Sequence, residues 1–278
     1  MIAGHPETFR SILDSALAKD GYVCRPSPAH VFFGAVPAGE RVIHGVMPHY
    51  GFFLGPMRYR VRRRPHGWDV MVRVVLDPPA ETSVLELPDC ALRTRLEGPV
   101  RCGGVPYVSS PKTDACPESG RFSAPATRHN VEALLAQWSH QVAQYWNRDA
   151  AAFRLPVRYD FEFALAEPLA PRAFPVDMAL PLWTACGRTP YFVALRSGWS
   201  LPIVAHEMGH VLGLLDEYEA FSGIVAAYPK TPFPGAEVSR MGLSMRETTR
   251  VLPLHHYLVL RRYLCPEPEH RDPFAGAL

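Results

Sequence analysis

Long apolar runs are missing from this chain of 278 residues. No stretch reaches the roughly 18 uncharged apolar residues that a membrane-spanning helix needs, which excludes a transmembrane segment of that kind. An excess of one charge is missing too. Lys+Arg 29 against Asp+Glu 27 leaves a formal charge of +2, far below what neutralising a phosphate backbone requires, so nucleic acid is excluded as the expected partner. The six cysteines, Cys24, Cys90, Cys102, Cys116, Cys186 and Cys265, include no pair at the two-residue spacing of a thiolate zinc knuckle, and a four-thiolate structural site is not expected. The first ten residues have neither the basic region nor the apolar core of a secretory signal. On that reading the chain is cytoplasmic or exported by a non-classical route, and the sequence does not decide which.

Proline is abundant instead, 29 copies in 278 residues, roughly twice average usage, so long helices should be few and loops many. Apolar residues make up 47% and charged residues 20%, which fits a folded globular protein.

Residues 6–20 have helical spacing of Phe9, Ile12, Leu13, Ala16 and Leu17 and predict a short helix. Val31–Val36 and Arg41–Met47 are expected strands. Arg58–Arg64 and Trp68–Leu76, separated by Pro65, His66 and Gly67, predict a hairpin whose arginines form a solvated strand face. Between Gly98 and Pro125 the composition shifts to Gly, Pro, Ser and Cys, which reads as a linker or long loop. The chain accordingly divides into a mainly β region, residues 1–120, of regulatory or pro-segment type, and a second domain, residues 121–278. That second part opens with a helix whose apolar face is Val131, Leu134, Leu135, Trp138, Val142, Tyr145 and Trp146, capped by Thr127 or Asn130. Val157, Tyr159, Phe161 and Phe163 then alternate with charged residues as in a half-buried strand. A further strand is expected at Tyr191–Leu195. Ser200 and Pro202 begin another helix that Gly213 ends, and a last one runs from about Leu254 to Leu264. The fold class is α+β.

The penultimate helix carries Ala205-His206-Glu207-Met208-Gly209-His210-Val211-Leu212-Gly213-Leu214-Leu215-Asp216-Glu217. Residues four apart on a helix differ by about 40° in rotation and about 6 Å along the axis, so His206 and His210 can present imidazoles to one metal ion. Glu207 is near enough to reach a water at that ion without being a ligand. This arrangement suits Zn²⁺ hydrolysis, with Glu207 as general base. Gly213 permits the sharp turn, through positive φ, that brings back a third ligand. Requiring Gly213 and Asp216 as well lowers the chance expectation of the pattern to about 10⁻⁴ per chain. Asp216 is the favoured third ligand, and its neighbour Glu217 is the alternative.

The pattern H-E-x-x-H-x-x-G-x-x-D resembles the metzincin clan of zinc endopeptidases, most of all its snapalysin-type members, in which Asp stands where most have a third His. The resemblance spans roughly residues 126–265. It implies a zincin catalytic domain, a mixed sheet with an active-site helix and a C-terminal helix, holding Zn²⁺ and cutting protein or peptide substrates. It also implies a methionine turn beneath the metal, for which Met241 in Arg240-Met241-Gly242 is the match and Met245 the second. Members often have Tyr two residues after that methionine, and Leu243 stands there here. Oxyanion stabilisation is therefore assigned to His256 or Tyr257, and substrate addition to the sheet edge near Tyr191–Leu195. Pro99-Val100-Arg101-Cys102-Gly103-Gly104-Val105-Pro106-Tyr107 resembles the cysteine-switch segment of matrix metalloproteinase pro-regions, with an added Gly and with Tyr107 in place of Asp. That resemblance implies an inhibitory thiol at Cys102; the alternative is a Cys102 paired with Cys90 or Cys116, or buried.

The expectation is thus a zinc metalloendopeptidase. The alternatives are an effector or toxin protease delivered by a bacterial secretion system, and a non-catalytic zinc-binding module on a peptidase fold. The intact Glu207 weighs against the last.

Overall fold

A computed structural model of the chain describes residues 24–44, 58–88, 90–102, 122–166, 177–187, 194–214, 217, 238–242 and 247–265. The helix expected over residues 6–20 lies outside them.

The chain is α+β, with a mixed sheet and helices packed on it. Its first described element, α1 (Pro28–Phe33), replaces the strand expected at Val31–Val36. The aromatic and β-branched residues there look strand-like, but Ser27 caps the turn by accepting from the His30 amide at 3.2 Å. Pro28 then fits the first helical position. Strand β1 (Gly39–His44) pairs antiparallel with β2 (Arg58–Arg64), which continues through a tight turn into β3 (Gly67–Asp77), as the hairpin pattern predicts. The arginines of β2 find acids or aromatic faces: Arg62 meets Glu40 at 2.7 Å, Arg64 meets Asp69 at 2.7 Å, and Arg63 lies over Trp68. Arg62 and Arg64 are exposed as expected of a solvated face, whereas Arg63 is buried on the other side of the strand.

Strand β3 is the axis of the molecule. Its Val70, Val72, Val74 and Leu76 are all buried, while Asp69, Met71 and Arg73 between them are half-buried, the alternation of a strand with one face on the core. The short strands β4 (Val84–Leu87), β5 (Arg101–Cys102) and β6 (Phe122–Pro125) form a separate three-stranded sheet in the order β4-β6-β5. Helix α2 (Arg128–Ala152) follows, 25 residues free of proline and capped by Thr127. It leads into β7 (Val157–Leu165), β8 (Met178–Trp183) and β9 (Leu195–Arg196). Strand β7 pairs parallel with β3 over Trp68–Leu76, taking one whole edge. The other edge is shared in succession by β2, up to Met71, and β8, from Val74. Asp177 marks the fork: its carboxylate accepts from the Arg73 amide at 2.8 Å and pairs with Arg60 at 3.4 Å.

Strands from both sides of residue 120 share one sheet. A strand from the first half is the centre of a sheet whose remaining parallel members, β7, β8 and β9, come from the second. The linker expected over Gly98–Pro125 falls partly outside the described residues, and its two described ends are β5 and β6, paired antiparallel.

Helix α2 lies on the sheet through its aromatic face, with Trp138 against Phe163 at 5.6 Å and Trp146 against Tyr159 at 4.8 Å between ring centroids. Its Trp146 indole also donates to the Ala205 carbonyl at 3.1 Å, tying α2 to α3 (Leu201–Val211). The last helix, α4 (Pro253–Leu264), is joined to the start of the described chain by the disulfide Cys24–Cys265 and by the Tyr257 hydroxyl on the Pro26 carbonyl at 2.6 Å. Cys186 is also disulfide-bonded. Among the described residues no helix is long and apolar enough to cross a membrane.

Candidate metal centre

Helix α3 starts after Ser200 and ends at Val211, and nearly all its residues are buried. Pro202 sits in its first turn, where the missing amide proton costs nothing. Leu212 closes the helix, and Gly213 takes φ 78°, the left-handed turn required of it. Arg262 of α4 secures that exit, donating to the Leu212 carbonyl at 2.6 Å and the Gly213 carbonyl at 2.9 Å. Helix-end carbonyls lack intrahelical partners, and a buried guanidinium satisfies two of them at once.

His206 and His210 are 1% and 3% exposed. Their rings lie 4.7 Å apart at 88°, on one face of α3 as their spacing requires. Each ring is held from behind. The Nδ1 of His206 is 2.8 Å from the Arg240 carbonyl, and the Nδ1 of His210 is 2.9 Å from the Leu214 carbonyl. A carbonyl only accepts, so each Nδ1 carries a proton, and in a neutral ring that puts the metal-binding lone pair on Nε2. Hydrogen bonds of this kind, made by the ring nitrogen turned away from the metal, fix the tautomer and orientation of metal-binding histidines. Glu207, half-buried, follows His206 on the helix. Two imidazoles held in this way are a donor set that fits Zn²⁺.

Below α3 runs the turn Ser239–Gly242, closed by the Gly242 amide on the Ser239 carbonyl at 3.1 Å. Met241 is 1% exposed and packs its sulfur against Gly209, between the two histidines in sequence; a Cβ at Gly209 would overlap that sulfur. The turn is anchored through Arg250, whose carbonyl accepts from the Arg240 amide at 2.6 Å. Arg250 and the Val251 amide are themselves bound by the buried carboxylate of Asp149 on α2, at 2.9 and 2.8 Å.

Asp216 lies outside the described residues. Its neighbour Glu217 is buried, donates its amide to the Met241 carbonyl at 2.9 Å, and has its carboxylate 2.8 Å from His255 Nε2. Burial pushes that carboxyl up, but His255, the Ser239 hydroxyl and His206 outweigh it and hold the carboxyl below the usual glutamate range. Among the described residues no group of three or more His, Cys, Asp or Glu is placed to hold a metal.

The two residues assigned to the oxyanion are placed elsewhere. His256 is fully buried beside Trp146, with Nδ1 2.8 Å from the Tyr159 hydroxyl, and burial drives its pKa down to about 3. Tyr257 is buried too, and its hydroxyl is the one bound to Pro26. In that segment it is His255 that connects to the metal helix region, through Glu217. The backbone of Cys102 pairs with Phe122, while its side chain lies outside the described residues. Of the expected substrate edge, Leu195 is in β9, and residues 191–193 are outside. Four contributors escaped the sequence reading: the Arg240 carbonyl, the Leu214 carbonyl, Arg262 and Gly209. Only Gly209 left a signal, as a small residue inside the motif helix.

Compared with protein-family models, curated proteins and solved structures, the chain matches none.

Proposed function

We propose that this protein is a zinc-dependent endopeptidase with a metzincin-like catalytic domain. The observation that carries the reading is the pair His206 and His210, one helical turn apart, each with Nδ1 donating to a backbone carbonyl and the two rings side by side. The left-handed Gly213 and the buried Met241 beneath the helix are further support.

His206, His210 and Asp216 would hold the ion, which supplies Lewis acidity toward a peptide carbonyl and toward water at neutral pH. Glu207 takes a proton from water and passes it to the leaving amine, acting first as base and then as acid. Arg240 and Leu214 keep the two imidazoles in the tautomer that leaves Nε2 unprotonated. The turn at Gly213, clamped by Arg262, directs the chain back toward the histidines.

The test is metal analysis of the purified chain with a protease assay on mixed protein substrates, with and without chelator. The wild type is expected to hold about one zinc per chain and to hydrolyse only when loaded. Glu207→Gln is expected to keep the metal and lose hydrolysis, whereas His206→Ala and His210→Ala lose the metal. A Glu207→Gln chain as active as wild type would remove Glu207 as the base. A chain that binds zinc without hydrolysing any substrate would favour the binding-module reading.

A further inference from the structure

His206 and His210 take their orienting carbonyls from different distances along the chain. Leu214, which holds His210, is four residues on, in the exit turn of the same helix. Arg240, which holds His206, is 34 residues on, so the setting of that ring depends on how a remote segment is anchored. The peptide unit between Arg240 and Met241 is held at its N–H, which donates to the Ser239 hydroxyl at 3.1 Å. Because a peptide unit is planar, that bond also aims its carbonyl. Just ahead of it, the Arg240 amide donates to the Arg250 carbonyl at 2.6 Å and the Arg250 amide to the Val238 carbonyl at 2.8 Å. These two bonds are a parallel bridge, Ser239 beside Arg250.

The anchor of that bridge is Asp149, which the catalytic scheme above does not use. It is fully buried on α2, and its two carboxylate oxygens take different partners. Oδ1 accepts from the Arg250 guanidinium at 2.9 Å and Oδ2 from the Val251 amide at 2.8 Å. Gripping a side chain and the next backbone amide fixes both the place and the rotation of that stretch, and both bonds are charge-assisted. Arg148 Nε donates to Oδ1 as well, at 3.1 Å. One helical turn earlier on α2, the Tyr145 ring packs on the Arg240 guanidinium at 4.8 Å. Between these two positions in sequence, the Trp146 indole donates to the Ala205 carbonyl at 3.1 Å. Helix α2 thus holds both the residue before His206 and the segment behind its ring.

We infer that Asp149 is a positioning residue for the metal site: through Arg250, Val251 and the Arg240 carbonyl it sets the ring of His206, and so tunes zinc affinity without touching the ion. His210 lies off this path. The effect is therefore selective, in that loss of Asp149 releases one imidazole and leaves the other held. The inference rests on the zinc reading proposed above.

Two measurements on the full chain test it: zinc affinity by chelator competition at fixed pH, and the exchangeable ring N–H protons of the two histidines in the proton NMR spectrum of the Co²⁺-substituted protein. Asp149→Asn keeps the side-chain shape and removes the charge. It is expected to weaken zinc binding about 10-fold and to broaden or abolish the His206 N–H signal, while that of His210 stays. Arg250 has an exposed side chain, so Arg250→Met tests the same path with little risk to folding; a smaller loss in the same direction is expected. Arg250→Lys, which returns a cation, is expected to recover most of it. Wild-type affinity with an unchanged His206 signal in Asp149→Asn overturns the inference and leaves the zinc reading standing. So does equal loss of both N–H signals, which marks a general loosening of the fold and not a path to His206. If Asp149→Asn does not fold, the Arg250 pair decides: Arg250→Met identical to wild type in both readouts, or Arg250→Lys no better than Arg250→Met, overturns the inference. A wild type that binds no zinc overturns both.

Discussion

The sulfur of Met241 fills the notch left by the absent side chain of Gly209, the residue just before His210. Glycine inside a helix normally loses about 1 kcal/mol to alanine, so its use here is explained by what it lets approach. Gly209→Ala is expected to destabilise the fold by about 1–3 kcal/mol through displacement of the buried Met241. In a Met241→Ala background the same change should become neutral or stabilising, because the helix preference is then unopposed. A double-mutant cycle by urea unfolding measures this coupling, and additive effects would refute the contact as its origin.

Arg262 and Gly213 give a second expectation. Gly213→Ala forces a Cβ into a left-handed position and toward the Arg262 guanidinium, and is expected to cost about 1–3 kcal/mol. Arg262→Leu removes two buried charge-assisted bonds and should cost about 3 kcal/mol. Urea midpoints at unchanged m-value provide the check. Zinc affinity should fall in both, since the exit from α3 is no longer fixed.

A third concerns acid. His256 is held neutral by burial, with a pKa near 3 against an ordinary 6.5. The unfolded chain then binds a proton that the folded chain refuses. This contribution to stability is complete above about pH 6.5 and is lost as pH falls toward 3, by up to about 1.4 kcal/mol per unit. His256→Asn should flatten the pH dependence of unfolding free energy between pH 7 and 4. Parallel wild-type and variant curves would contradict it.

What the sequence made legible is what repeats at short range. The period of two at Val157–Phe163, the apolar face of α2 and the hairpin at Pro65–Gly67 each announce themselves within a dozen residues, and so does the histidine pair of α3. The segment at Val31–Val36 misled because its Val and Phe residues suit a strand, while the deciding signal, Ser27 before Pro28, lies upstream. Pairings across long separations left no local trace. Nothing in Trp68–Leu76 states that Val157–Leu165 will lie alongside it. Nor does the run His255-His256-Tyr257 say which ring faces the site; helix rotation and the packing of Trp146 and Tyr159 decide it.

The central position of β3 has a consequence in time as well as space. Synthesis delivers β3 early, yet both parallel neighbours, β7 and β8, arrive only after α2 has been made. Until then its apolar strand has one antiparallel partner and an open edge, the kind of surface that recruits other chains. Loop closure over such separations is slow, because its entropy is lost before the contacts are gained. The nascent protein therefore passes through a stage in which its best strand is its most adhesive one, and its yield should depend on how quickly the second half follows the first.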